Sequence, residues 1–301
     1  MNALLLCGRG AIDAGLRQSA AEVIQVGDRR WQFALQTGAR SPVSVSAGDS
    51  FLQFDAPVLV ACELAQSPQW LRWNTTLAGN AKFALVPSPW RLRLRAELPL
   101  VDDANTSARI GEIEHGLSCA CQLLEGTHPS TDDFRSDAPT PMAADSGATS
   151  HGLLALLRET GWSFQERADG AAAVDFAMRG ENCRMLLEEN TTGLRAAVEF
   201  LRVDSPAAKS SLAIAVLLLS ASGTLRLARP FAVDAEDEFT CGFEVRFAGE
   251  TTAGELEHAL EALAVACWAC KEEVYSLLDN SAAEKFMAIR NLPPTFEPEE
   301  F

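Results

Sequence analysis

Apolar residues recur along this chain in two rhythms, every second position and every third to fourth, and the two alternate in the same order twice. In the first half, residues 11–26 carry aliphatic side chains at helical spacing. Alternation follows at Trp31-Gln32-Phe33-Ala34-Leu35 and at 41–46, 51–54 and 58–63, which predicts short strands. Residues 67–77 return to helical spacing. Residues 82–87 and 90–98 alternate on either side of Pro87-Ser88-Pro89, and a closing helix is predicted from about Ser107.

Beyond residue 150 the order restarts. Residues 151–161 predict a short helix closed by Gly161. Strands are predicted at 162–167, 173–179 and 183–188, separated by Asp169-Gly170 and Gly180-Glu181-Asn182, both of which carry turn chemistry. Residues 196–203 add a further strand, Ser205-Pro206 opens an apolar helix over 207–220, and Gly223 stops it. Strands at 225–231 and 239–247 flank an acidic turn at 234–238, and a long helix over 253–278 is led by Thr251 or Thr252.

Each half thus reads helix, three or four strands, helix, two strands, helix. Segregated helices and antiparallel strands predict an α+β fold built as two tandem copies of one helix, antiparallel sheet, helix domain. The expected boundaries are 1–126 for the first copy, 127–150 for a linker rich in Pro, Ser and Asp, 151–290 for the second copy and 291–301 for an acidic tail. Two near-identical segments, Gly111-Glu112-Ile113-Glu114-His115-Gly116-Leu117 and Gly254-Glu255-Leu256-Glu257-His258-Ala259-Leu260, read as matching helix starts. Trp31 precedes the first by 80 residues and Trp162 the second by 92, which predicts loop insertions in the second copy.

Composition narrows the classes of function. The 301 residues are 48% hydrophobic with a net charge of -16, and the acid is unevenly spread. Residues 1–126 carry 11 basic and 12 acidic side chains, residues 127–150 one and four, and residues 151–301 13 and 25. Such a surface repels a phosphate backbone and an anionic leaflet, so neither nucleic acid nor membrane is an expected partner. The longest aliphatic stretch, at 212–219, falls far short of the ~20 residues a bilayer requires. The apolar run at the start stops at Gly8-Arg9 with no basic segment before it, which argues against a secretory signal and points to the cytoplasm. Eight scattered cysteines are too few for a disulfide scaffold, and reduced core thiols are expected.

The segment Trp90-Arg91-Leu92-Arg93-Leu94-Arg95-Ala96-Glu97-Leu98-Pro99-Leu100, followed by the acidic pair Asp102-Asp103 and an amphipathic helix, resembles the type III secretion chaperone-like superfamily, and within it the YbjN group. The second copy is similar through Gly223-Thr224-Leu225-Arg226-Leu227, its acidic turn, Phe243-Glu244-Val245-Arg246-Phe247 and the helix at Gly254. The resemblance implies a small α+β domain that dimerises and, in the secretion chaperones, binds an extended segment of another protein across its surface. Two copies in one chain then imply a covalent pseudo-dimer, either monomeric or a homo-oligomer.

Candidate chemistry changes this picture little. Glu112 with His115 and Glu255 with His258 form Glu-x-x-His pairs, the spacing of di-iron helical bundles. Further inward carboxylates would be needed for a metal, and acidic residues in a first helical turn have an ordinary dipole explanation. Cys267-Trp268-Ala269-Cys270 lies mid-helix rather than at a strand-to-helix junction, so core packing is its expected role. No nucleophile elbow, phosphate loop or cofactor motif occurs. Trp70, Trp73, Arg91, Arg93 and Arg95 remain as candidate partner-binding residues, the three arginines sharing one strand face. The expectation is a non-enzymatic, chaperone-like or adaptor module that binds another polypeptide without a cofactor. The alternative is a metal or small-ligand binder using the two Glu-x-x-His helices.

Overall fold

The computed structural model describes residues 9–126 and 151–291, apart from 21, 36–41, 59–61, 88, 102–104, 169, 191–192, 205 and 236–237. The expected linker, the tail beyond Asn291 and the Asp102-Asp103 turn lie outside the described residues. The first half runs α1 (Arg9–Ser19), β1 (Val23–Gly27), β2 (Arg30–Ala34), β3 (Pro42–Ala47), β4 (Phe51–Pro57), α2 (Ser67–Trp73), β5 (Lys82–Val86), β6 (Arg91–Pro99) and α3 (Thr106–Leu124). The second runs α4 (His151–Thr160), β7 (Phe164–Glu166), β8 (Ala172–Met178), β9 (Glu181–Asn190), β10 (Gly193–Asp204), α5 (Ala208–Ser222), β11 (Arg229–Ala235), β12 (Glu238–Ala248) and α6 (Ala253–Ser276), with α7 (Asn280–Asn291) appended.

The α+β reading holds, with two six-stranded sheets in which every pairing is antiparallel. Their strand orders are β1-β2-β3-β4-β6-β5 and β7-β8-β9-β10-β12-β11, so both halves share one topology: a four-stranded meander, a crossover helix, then a hairpin inserted against the last meander strand. Period-two burial explains each sheet. In β2, Trp31 and Phe33 face the core while Arg30 and Gln32 face out, and β3 and β4 repeat this alternation. Tight two-residue turns join β1 to β2 and β8 to β9, the second with Arg179 and Gly180 both at positive φ.

Several expectations are corrected. The helix expected over 11–26 ends at Ser19, and Val23–Gly27 becomes β1, because a turn at Asp28-Arg29 folds it back onto β2. Among the described residues of the segment expected as a strand at 58–63, none is in a strand, and a 3₁₀ turn follows at Leu64–Gln66. The strand expected at 225–231 starts only at Arg229, since Leu225 to Leu227 form a bend with Leu227 at φ 61°. The expected helix starts differ too: Gly254 lies in the first turn of α6, but α3 begins at Thr106, five residues before Gly111. Trp31 and Trp162 are not equivalent, for Trp31 is in β2 whereas Trp162 precedes β7, the counterpart of β1. The second copy is longer in its strands: β9 and β10 have 10 and 12 residues where β3 and β4 have 6 and 7.

The halves pack reciprocally. Helix α2 lies against β11 and α5 against β5, and the two crossover helices touch each other. One connected apolar core runs through both halves. Two buried cations repeat the relation. Lys82, opening β5, donates to the carbonyls of Leu225 (2.8 Å) and Ala228 (3.1 Å) and pairs with Glu97 at 2.9 Å. Arg229, opening β11, donates to the carbonyls of Leu77 (2.6 Å) and Gly79 (3.0 Å) and pairs with Glu244 at 2.7 Å. Each cation thus satisfies the loop before the other copy's outer strand, where a bare carbonyl would be costly. Burial pulls the Lys82 ammonium down despite Glu97, and pulls Arg229 to about 10. Burial pushes Glu244 up, but Arg246, Arg229 and Arg195 outweigh it and hold its carboxyl well below the usual range.

Candidate functional site

The two carboxylates of the Glu-x-x-His pairs do come together, around a guanidinium. Arg109, in the first turn of α3, donates through Nε to Glu255 (2.9 Å) and through Nη1 to Glu112 (2.8 Å), and its Nη2 reaches the carbonyl of Glu250 at 2.7 Å. It also bonds the Ala248 carbonyl and stacks 5.0 Å from the Phe247 ring. Glu255 is fixed by its own helix as well, since it closes a capping box with Thr252. Burial lowers Arg109, but Glu255 and Glu112 outweigh it and raise the guanidinium. Burial also raises Glu112, against the pull of Arg109. The cluster joins the copies as a filled ion-pair network.

The histidines are elsewhere. His115 sits 3.7 Å from Cys119 Sγ on its own helix, and the His258 ring lies 5.5 Å from that of Phe51. Among the described residues no three His, Cys, Asp or Glu side chains gather as a metal would require. Sequence reading missed Arg109, whose one local signal is its position three residues before Glu112 on the same helix face.

Six of the seven described cysteines are buried, Cys62 being half-buried. Cys267 Sγ lies 3.6 Å from Cys183 Sγ of β9, and burial pushes Cys241, Cys267 and Cys270 each up to about 12. Trp70 is 1% exposed and fills the core, and Trp73 tilts onto Phe83 at 5.9 Å. Arg93 is gripped by both oxygens of Asp55 on β4, at 2.7 and 2.6 Å. Arg95 takes a longer contact to Asp55, at 3.4 Å, and donates to the Gly223 carbonyl of the second copy; Arg91 is exposed at the start of β6. Among the described residues, Arg95 is the one of the three arginines that bonds the other copy, through a backbone oxygen rather than an acid.

An open surface remains on the outward face of the first sheet. Directly paired residues form a polar row across four strands, Arg30, Ser46, Gln53 and Glu97. A cleft of about 300 Å³ lies over this row, lined also by Arg29, by Phe51 and by Arg226 of the second copy. Beside it runs the edge strand β1, where Ile24 is 63% and Val26 52% exposed. Ile24 pairs with Gln32 on the same outward face, and Val26 sits in a bulge before the turn. The other edges differ: β5 and β11 are packed by α5 and α2, and β7 has three residues. Among the described residues no helix is long and apolar enough to cross a membrane. No family model, curated protein or solved structure matches the chain.

Proposed function

We propose that this protein is a non-enzymatic, chaperone-like or adaptor module of the cytoplasm that binds an extended segment of another polypeptide along β1 and the adjoining outward sheet face. The observation that carries the reading is the edge strand: β1 presents Ile24 and Val26 to solvent, whereas α5 and α2 pack against β5 and β11. An edge strand offers unpaired backbone donors and acceptors, and proteins ordinarily shorten, charge or cover such edges unless another chain adds to them. Exposed aliphatics at alternate positions supply apolar contact to a strand laid alongside.

The tandem arrangement supports the reading. The type III secretion chaperone-like resemblance implies paired domains that receive an extended client, and the reciprocal packing of α2 on β11 and α5 on β5 is the isologous contact expected of a covalent pseudo-dimer. The Glu112, His115, Glu255 and His258 alternative is not favoured, because Arg109 occupies both carboxylates.

Selection of displayed peptides on the full chain tests the proposal. Extended peptides with alternating apolar residues are expected to be enriched, and Ile24→Asp with Val26→Asp is expected to weaken their binding at least tenfold while leaving the circular dichroism spectrum unchanged. Binding that survives the double substitution refutes the assignment to β1.

A further inference from the structure

The cleft beside β1 carries a second, more specific statement, which rests on the proposed function. We infer that it receives a carboxylate side chain from the bound segment, so that the preferred client is an apolar, extended stretch bearing an isolated Asp or Glu.

Three guanidinium groups, from Arg29, Arg30 and Arg226, line a cleft of about 300 Å³ in a chain whose net charge is -16. Two carboxylate residues, Asp28 and Glu97, line the cleft with the three arginines, which leaves one positive charge in excess. Glu97 pairs with Lys82 at 2.9 Å and accepts from the Leu227 amide at 3.1 Å, so its charge is answered from beneath the cleft. Arg29 contacts Asp49 at 3.2 Å through an exposed pair worth little in water. Arg226 lies over the Phe51 ring at 5.4 Å, which holds the guanidinium at the rim and gives the aliphatic stem of an incoming Glu an apolar wall. Arg30 stands at the end of the polar row, with the Ser46 and Gln53 side chains next in line as further hydrogen-bonding groups.

The volume lies at the lower end of small-ligand clefts and suits a side chain better than a nucleotide. Position supports a client residue over a free anion, since the Asp28-Arg29 turn that forms one wall is also the end of β1. A segment pairing with β1 therefore passes the mouth. The acidity of the rest of the surface selects against a run of acids, which the whole field repels, and in favour of a single one placed at the arginines.

Two selections from one peptide library, against the wild type and against Arg30→Glu/Arg226→Glu, test the inference. Wild-type winners are expected to share an Asp or Glu at one position, the variant is expected to shift that position to Lys or Arg, and a synthetic wild-type winner should bind the variant about tenfold more weakly. Winners lacking an acidic residue, or equal affinity for both proteins, would overturn it. Inorganic phosphate serves as the competing probe, and displacement of the peptide at concentrations comparable to its own dissociation constant would make the cleft a free-anion site and also overturn the inference. The two proposals separate cleanly. Loss of binding in Ile24→Asp/Val26→Asp without any effect of the arginine substitutions removes the cleft alone, and the converse result removes the β1 assignment.

Discussion

The Lys82–Glu97 pair makes a prediction that can be worked through numerically. Both side chains are almost wholly buried, at 0% and 4% exposure, and their charged atoms are 2.9 Å apart. At an effective dielectric of 20 that separation corresponds to about 6 kcal/mol of attraction. Removing each ion from water costs several kcal/mol, so the intact pair contributes little net stability, while breaking it is expensive. Glu97→Gln keeps the size and an acceptor for the Leu227 amide but leaves an uncompensated ammonium under the second copy. The loss has a ceiling, because Lys82 can release its proton. Taking a lysine from its ordinary value of 10.5 to neutrality at pH 7 costs at most about 5 kcal/mol. A loss of 3 to 5 kcal/mol is expected, on the order seen when one partner of a buried pair is removed.

The sign of the pH dependence follows from the same group. Burial already holds the folded-state value of Lys82 below 10.5, and removing Glu97 lowers it further. Between the lowered and the ordinary value the unfolded chain retains a proton that the folded chain has shed, so stability rises with pH. The deficit of Glu97→Gln should therefore shrink as the pH rises from 7 to 9, by at most about 1.4 kcal/mol per unit. In Lys82→Met/Glu97→Gln that dependence should vanish. Urea unfolding at pH 7, 8 and 9 measures all three proteins. A deficit below about 1 kcal/mol at pH 7, or one that does not fall with rising pH, refutes the assignment of a charged Lys82 to the interface.

Arg109→Lys, which cannot reach Glu112, Glu255 and the carbonyls of Ala248 and Glu250 together, is expected to cost about 2 to 4 kcal/mol in urea unfolding; a change under 0.5 kcal/mol would show that the fork geometry is unimportant. Trp70→Ala should lose about 3 to 5 kcal/mol, whereas Trp268→Ala, exposed on α6, should stay within about 1 kcal/mol of wild type, and the reverse order would invalidate the packing described. Cys241, Cys267 and Cys270, pushed up to about 12 by burial, should resist iodoacetamide in the native protein at pH 8 and react after denaturation; mass spectrometry showing rapid native labelling would contradict it.

The sequence announces its elements where apolar periodicity is local and hides them where the partner is distant. Six strands per half were nearly all visible, because alternation such as Trp31, Phe33, Val43 and Val45 marks a face that must be buried. The stretch from Ala20 to Val26 misleads because its composition suits a helix, and only pairing with β2 across the Asp28-Arg29 turn makes Val23–Gly27 a strand. Leu225 and Leu227 alternate as a strand would, yet their backbone groups are taken by Lys82 and Glu97 of the other copy, more than a hundred residues away. The same cause hid the sites. Glu112 and Glu255 were picked out in sequence, but the Arg109 between them is identified by contacts at separations of 139 to 146 residues. The cleft depends on strand register, which places Arg30, Ser46, Gln53 and Glu97 in one row from unevenly spaced positions.

Tandem duplication of an antiparallel sheet doubles the number of edges, and the way the copies pack decides which edges remain. Reciprocal packing of α2 on β11 and α5 on β5 engages one outer strand of each sheet, leaving the first meander strands, β1 and β7. Those two are not alike: β7 is three residues long, whereas β1 has five residues and carries Ile24 and Val26 outward. Charge divides differently, with most of the acid in residues 151–301. Part of the second copy's charge is spent internally, since Glu244 is enclosed by Arg195, Arg229 and Arg246. The acid that distinguishes the second copy is therefore in part structural. The halves differ instead in that the first has the open edge and the second contributes Arg226 to the cleft beside that edge. A separated first copy would keep β1 and lose both Arg226 and the cover over Lys82, so the proposed recognition surface requires the two copies in one chain.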